Sequence, residues 1–203
     1  MSARASIKRS VPLTALFYEG SPLLLQQSLF DELDEADLHL ASQEQIALHR
    51  LSDSIRHAFA TFDNQGALLV IEAAIDETQP VSLRADVLSH IIAMARANVR
   101  QSDIVEKIDD LTIAIAMPGA GRIGMTRVAD ALRQRVGSTR PTDLTSIEPT
   151  TITIGAVHTT ESHLIDPNEL LLAARVNLDT ARSAGGNRTN WSDWPSLDPN
   201  PMT

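Results

Sequence analysis

The sequence predicts an α/β (α+β) sandwich of the ferredoxin-like kind, a central and mostly antiparallel sheet flanked by helices. Three observations carry this. Apolar stretches at helical spacing alternate with short runs rich in Val, Ile and Leu, and that alternation places helices and strands around one sheet. Two of the short runs meet at Asp109-Asp110 and form a β-hairpin. The chain has 203 residues, 43% of them hydrophobic, which suffices for one sizeable core.

The elements follow in order. Residues 1–10 are small, polar and basic, and are expected to be a flexible arm. Residues 11–30 are apolar, interrupted by Gly20 and Pro22. Between about Glu35 and Phe62, Leu48, Leu51, Ile55, Phe59 and Phe62 recur at steps of three and four, the stripe of an amphipathic helix. Asp63-Asn64-Gln65-Gly66 closes it with turn chemistry. Ala67–Ala74 is a continuous apolar run, the mark of a buried strand. After Pro80, Leu83, Val87, Leu88, Ile91, Ile92 and Ala95 predict a second helix ending near Arg100.

Asp103–Ile108 and Leu111–Met117 are the hairpin strands, and Pro118-Gly119-Ala120-Gly121 breaks the second. Met125–Val136 carries Val128, Ala129, Leu132 and Val136 as the stripe of a third helix. A Pro/Ser/Thr loop over 137–149 precedes the strand Thr151–His158. Asp166-Pro167 supplies an N-cap and a proline at N1 for a fourth helix, which Gly185-Gly186 terminates. Thr189–Trp191 is a short edge strand, and 192–203, with three prolines, is expected to be a disordered tail. One folded domain over 11–191 results.

Composition excludes several classes. A net charge of −9 argues against a general nucleic-acid binder, since neutralising phosphates requires clustered Lys and Arg. The chain has no cysteine, which removes disulfides and thiolate zinc sites. No run approaches the ~18 apolar residues of a membrane span, and no apolar segment of signal-peptide type follows Arg4, Lys8 and Arg9. A cytoplasmic location is the expectation. The six histidines form no metal-ligand spacing, although His49 and His57 share a helix face, and no nucleophile-elbow motif occurs.

Five short motifs, in this order, resemble those of the GGDEF domain, the nucleotide-cyclase-like fold of bacterial diguanylate cyclases. Val11-Pro12-Leu13-Thr14-Ala15-Leu16 is similar to its opening D-x-L-T-G-L. Arg100-Gln101-Ser102-Asp103 resembles its RxxD inhibitory site, and Ile104 to Ile108 then lead to the signature turn at the family spacing. Pro118 ends the following strand at the family's usual place, Thr153-Ile154-Gly155-Ala156 resembles S-I-G-[VI], and Ala181-Arg182-Ser183-Ala184-Gly185-Gly186-Asn187-Arg188 resembles A-K-x-x-G-x-N-x.

The departures bear on chemistry. The signature Gly-Gly-[Asp/Glu]-Glu-Phe is here Asp109-Asp110-Leu111-Thr112-Ile113, so the acidic third position is Leu111. The first-strand metal motif is Glu72-Ala73-Ala74-Ile75-Asp76-Glu77 at best, and the guanine-recognition stretch is absent. Glu72, Asp109 and Asp110 are carboxylates that could in principle gather a metal, and Asp109-Asp110 also fits a plain solvated turn. The resemblance, read with these losses, implies no catalytic residue, no bound metal and no cofactor.

The RxxD motif keeps its own chemistry. Arg100 offers a planar fork of donors suited to phosphate oxygens and to stacking, and Asp103 accepts from a guanine edge. The resemblance implies cyclic di-GMP as the ligand, with dimerisation or recruitment of a partner protein as the output. The plain alternative is a local Arg100–Asp103 ion pair on a surface turn. Arg127, among the arginines of the third helix, is the guess for a further basic contact. Trp191 is expected to pack in the ordinary way. A second functional reading is a ligand-free interaction module, in which 11–62 and the third helix contact a partner.

Overall fold

A computed structural model describes residues 35–76, 78–139, 150–160 and 166–194. The opening motif at 11–16, the arm, the loop over 140–149 and the tail from 195 lie outside the described residues. Two compact units meet between Ala41 and Ser42. Of the first, the described part is the opening of helix α1, Glu35–Ala60. The second unit holds the rest of α1 and all of the sheet.

The elements run α1, β1 (Gly66–Ala73), α2 (Val81–Asn98), β2 (Ile104–Lys107), β3 (Thr112–Pro118), α3 (Arg122–Ser138), β4 (Ile152–Thr159), α4 (Pro167–Ser183) and β5 (Thr189–Trp194). The strand order is β2-β3-β1-β4-β5. All pairs are antiparallel except β4–β5, which is parallel. The expected mixed, mostly antiparallel sheet flanked by helices is therefore present. Both faces are covered, so the sandwich has three layers where two is the minimum.

Strand periodicity divides the core. Ala67, Leu69, Ile71 and Ala73 of β1, with Ile113, Ile115 and Met117 of β3 and Ile152, Ile154 and Ala156 of β4, pack against α2 and α3. The alternate residues, among them Leu68, Val70 and Val157, are also fully buried. On that face α4 lies directly over Gly155, where a Cβ would stand 2.1 Å from the Ala174 carbonyl oxygen and 2.1 Å from the Leu178 nitrogen. Such an approach admits only glycine. Because both faces are apolar, β1 and β3 show continuous hydrophobic runs instead of alternation.

The ends of the elements follow from local chemistry. Asp63 and Asn64 adopt left-handed φ of 52° and 57°, which ends α1 at Ala60. Phe62 is therefore outside the helix; its ring lies over Gly119, and it remains 45% exposed. Asp166 caps α4 by accepting from Asn168 N–H at 2.9 Å, with Pro167 at N1. The hairpin connection is longer than the expected two-residue turn: Ile108 N–H donates to Thr112 O, and Leu111 N–H donates to the Asp109 carboxylate at 2.8 Å. Strand β5 runs on to Trp194, three residues beyond the expected edge strand, because α4 supplies it with side-chain partners. Buried Asn177 donates to Ala156 O (2.8 Å) and Ser192 Oγ (2.9 Å) and accepts from Asn190 Nδ2 (2.9 Å).

Candidate functional site

Helix α2 ends at Asn98, and Val99 leaves it in an extended conformation with its side chain against the core. The next four residues are the RxxD motif. Arg100 N–H donates to Asp103 Oδ2 at 2.8 Å, and Asp103 N–H donates to Arg100 O at 3.0 Å. These reciprocal bonds close the turn into β2. The ion pair of the plain alternative does not form: Asp103 engages the backbone of Arg100, and the Arg100 guanidinium has no hydrogen bond or ion pair among the described residues. Arg100 is exposed, and Asp103 is half-buried. Arg127 is exposed on α3 and touches neither of them among the described residues.

The turn at Asp109-Asp110 sits at the other end of β2, about 13 Å away by strand rise. Among the described residues, Asp109, Asp110, Glu72 and Asp76 each have a partner. Asp109 accepts from Leu111 N–H. Asp110 pairs with Lys107 at 3.0 Å and more loosely with Arg84 at 3.9 Å. On β1, Glu72 is gripped through both oxygens by Arg182 of α4, Nε to Oε2 at 2.9 Å and Nη2 to Oε1 at 2.7 Å, and Arg182 also holds Asp179 at 2.8 Å. Asp76 accepts from the backbone N–H and hydroxyl of Thr78, and these bonds hold its carboxyl below the usual range.

Magnesium needs several oxygens free to face one point. Here the Leu111 side chain supplies none, and the Arg182 guanidinium occupies both carboxylate oxygens of Glu72. Among the described residues no three His, Asp or Glu side chains gather at one point.

A second polar cluster escaped sequence reasoning. His158, buried in β4, places Nδ1 3.1 Å from Asp193 Oδ1 of β5. Asp193 also receives Arg122 Nε at 2.8 Å, from the first turn of α3. The Arg122 guanidinium lies over the Trp191 ring, 5.9 Å from its centroid. Trp191 is 39% exposed, so it is not the ordinary packing residue expected. Arg122 and Asp193 are 71 positions apart, and nothing local signals their meeting. His49, by contrast, is an exposed surface residue 3.4 Å from Asp53.

No family model matches the chain, and no curated protein matches it. Solved structures do. The active GGEEF domain of a diguanylate cyclase from Vibrio cholerae superposes with a TM-score of 0.59 at 15% identity, over 70% of this chain and 94% of that one. The fold is that of a GGDEF domain. The GGDEF domain of YfiN (TpbB) from Pseudomonas aeruginosa gives 0.57 at 26% identity, over 71% of this chain and 91% of its own. The GGDEF domain of DgcB from Caulobacter crescentus, solved in complex with c-di-GMP, gives 0.57 at 13% identity, over 70% and 87%. The GGDEF fold thus accounts for the sheet order and the placement of the hairpin. Among the described residues, no helix is long and apolar enough to cross a membrane.

Proposed function

We propose that this chain is a catalytically inactive GGDEF-like domain that acts as a cyclic di-GMP receptor through Arg100 and Asp103. The observation that carries the reading is the state of Arg100: its backbone is held by Asp103, while its guanidinium is exposed and without a partner among the described residues. A planar cationic fork presented in this way suits a phosphate oxygen pair or a guanine face. Asp103 uses Oδ2 on the turn and keeps Oδ1 for a donor on the ligand. Inactivity is supported by Leu111 at the acidic position and by the engagement of Glu72 with Arg182. Isothermal titration of the full chain with cyclic di-GMP tests the reading. Binding in the micromolar range, abolished by Arg100→Ala, is expected; no heat up to millimolar ligand, or equal affinity in the variant, overturns it.

One observation favours a second reading, a ligand-free interaction module. Ile123 is 84% exposed on the first turn of α3, beside Arg122 stacked on Trp191. Arg and Trp are frequent anchors of protein interfaces. A stoichiometric protein partner recovered with wild type but not with Ile123→Asp, together with flat calorimetry, selects this reading.

A further inference from the structure

Helix α3 carries four arginines against one aspartate, in a chain whose net charge is −9. Its buried stripe, Met125, Ala129, Leu132 and Val136, fixes which residues point outward. Ile123, Arg127, Asp130 and Gln134, at i, i+4, i+7 and i+11, form the opposite row, and all four are exposed. The single acid of that row leans on its own helix, 3.9 Å from Arg133. The exposed Arg127 and Arg135 side chains engage no partner among the described residues. We infer that this outward row of α3, with Trp191 beside its first turn, docks an acidic segment of another protein, one that sets a large apolar side chain between carboxylates.

The apolar part of the surface is built in advance. Ile123 is the most exposed large hydrophobic side chain among the described residues, at 84%. Its neighbour Arg122 donates through Nε to Asp193 at 2.8 Å and lies over the Trp191 ring. Asp193 is fixed from below by buried His158 at 3.1 Å. Arg122 therefore spends its charge on Asp193 and holds the indole in place, so little ordering remains to be done on binding. Arg127 and Arg135, further along the helix, supply the uncompensated positive charge.

Charge selects the occupant. A second copy seated face to face on this row would set arginines against arginines, and like-charge contacts oppose binding. An extended polyanion such as nucleic acid would also meet the acidic remainder of the chain. A short acidic protein segment meets the cationic helix alone. The inference deepens the interaction reading by naming the partner's chemistry, and it holds whether or not the domain also takes cyclic di-GMP.

The probe is a displayed library of random peptides panned against the immobilised full chain, with the selected peptide then labelled and titrated by fluorescence polarisation. We expect selected sequences to carry Asp or Glu around one large apolar residue. Affinity should fall about tenfold or more in Ile123→Asp and about threefold or more in Arg127→Glu, and stay unchanged in Val176→Asp on α4. It should weaken as NaCl rises from about 0.05 to 0.3 M. Circular dichroism of the variants should match wild type, since each changed residue is exposed. Selected peptides that lack acids and ignore Arg127→Glu overturn the acidic chemistry and leave the interaction reading standing. Peptides insensitive to Ile123→Asp overturn both. A dimer in sedimentation equilibrium that dissolves in Ile123→Asp, or binding to phosphatidylglycerol vesicles that Arg127→Glu abolishes, gives the face to another occupant and overturns the inference. Acidic peptides bound alongside heat from cyclic di-GMP uphold it and end the ligand-free reading.

Discussion

Arg182 near the end of α4 and Glu72 near the end of β1 meet in a two-toothed grip, guanidinium to carboxylate, across 110 positions of sequence. The pair ties the last turn of α4 to the central strand and neutralises the β1 carboxylate opposite Thr112. Its side chains are 54% and 24% exposed, so solvent screens it and its value is modest. Arg182→Ala should cost about 0.5–1 kcal/mol in urea unfolding at low salt. The difference should shrink in 1 M NaCl.

The same grip bears on chemistry. Wild type with GTP and Mg²⁺ or Mn²⁺ should form no cyclic di-GMP, and Arg182→Ala should restore none, because the Leu111 side chain still offers no oxygen. Chromatographic detection of product in either protein would contradict the assignment of inactivity.

Gly155 should tolerate no side chain. A methyl there meets backbone atoms of Ala174 and Leu178 at 2.1 Å, and backbone cannot rotate away as a flexible side chain can. Lifting α4 from β4 would open the core on that face. Gly155→Ala should lose about 3 kcal/mol or more, seen as a lowered midpoint in thermal or denaturant unfolding. Gly137→Ala, inside the last turn of α3 where an added Cβ meets nothing, is the control and should not destabilise.

Asn177→Ala should loosen β5 specifically. The asparagine is buried and satisfies three partners, two of them on β5. Removing it leaves the Ala156 carbonyl short of a donor and costs about 2–3 kcal/mol. Because Trp191 and Trp194 lie on β5, their fluorescence should redden at lower denaturant than the far-UV circular dichroism signal changes.

Asp76 gives a pH dependence with a definite sign. Its folded carboxyl is depressed by the Thr78 backbone N–H and then by the Thr78 hydroxyl. A depressed acid stabilises the fold above its unfolded value, about 3.9, and that contribution is lost as pH falls through the folded value. Carboxyl NMR should show Asp76 titrating below a reference aspartate, and Asp76→Asn should remove its share of the acid sensitivity of stability. A normal titration midpoint would refute the turn geometry.

The sequence carried much of the fold for identifiable reasons. Steps of three and four at Leu48, Leu51, Ile55 and Phe59 mark a helix with one buried stripe, and all four are buried. Asp166-Pro167 and Gly185-Gly186 are local devices, complete within a few residues, and they bound α4 as expected. Phe62 continues the stripe numerically but not physically, since two left-handed residues follow it. The end of β5 has no local signal, because Ser192, Asp193 and Trp194 pair with Val157, His158 and Thr159 of β4, far away in sequence.

By itself the chain determined its periodicities, its turns, the spacing of Arg100 and Asp103, and the absence of an acid at position 111, because each depends on neighbours along the backbone. Only the tertiary structure decided that Asp103 holds a backbone amide and leaves the guanidinium of Arg100 without a partner among the described residues, that Arg182 covers Glu72, and that Arg122, Trp191, Asp193 and His158 share a corner. Those are choices among competing partners for charged groups. Distance in space settles such competition, and sequence separation does not encode it.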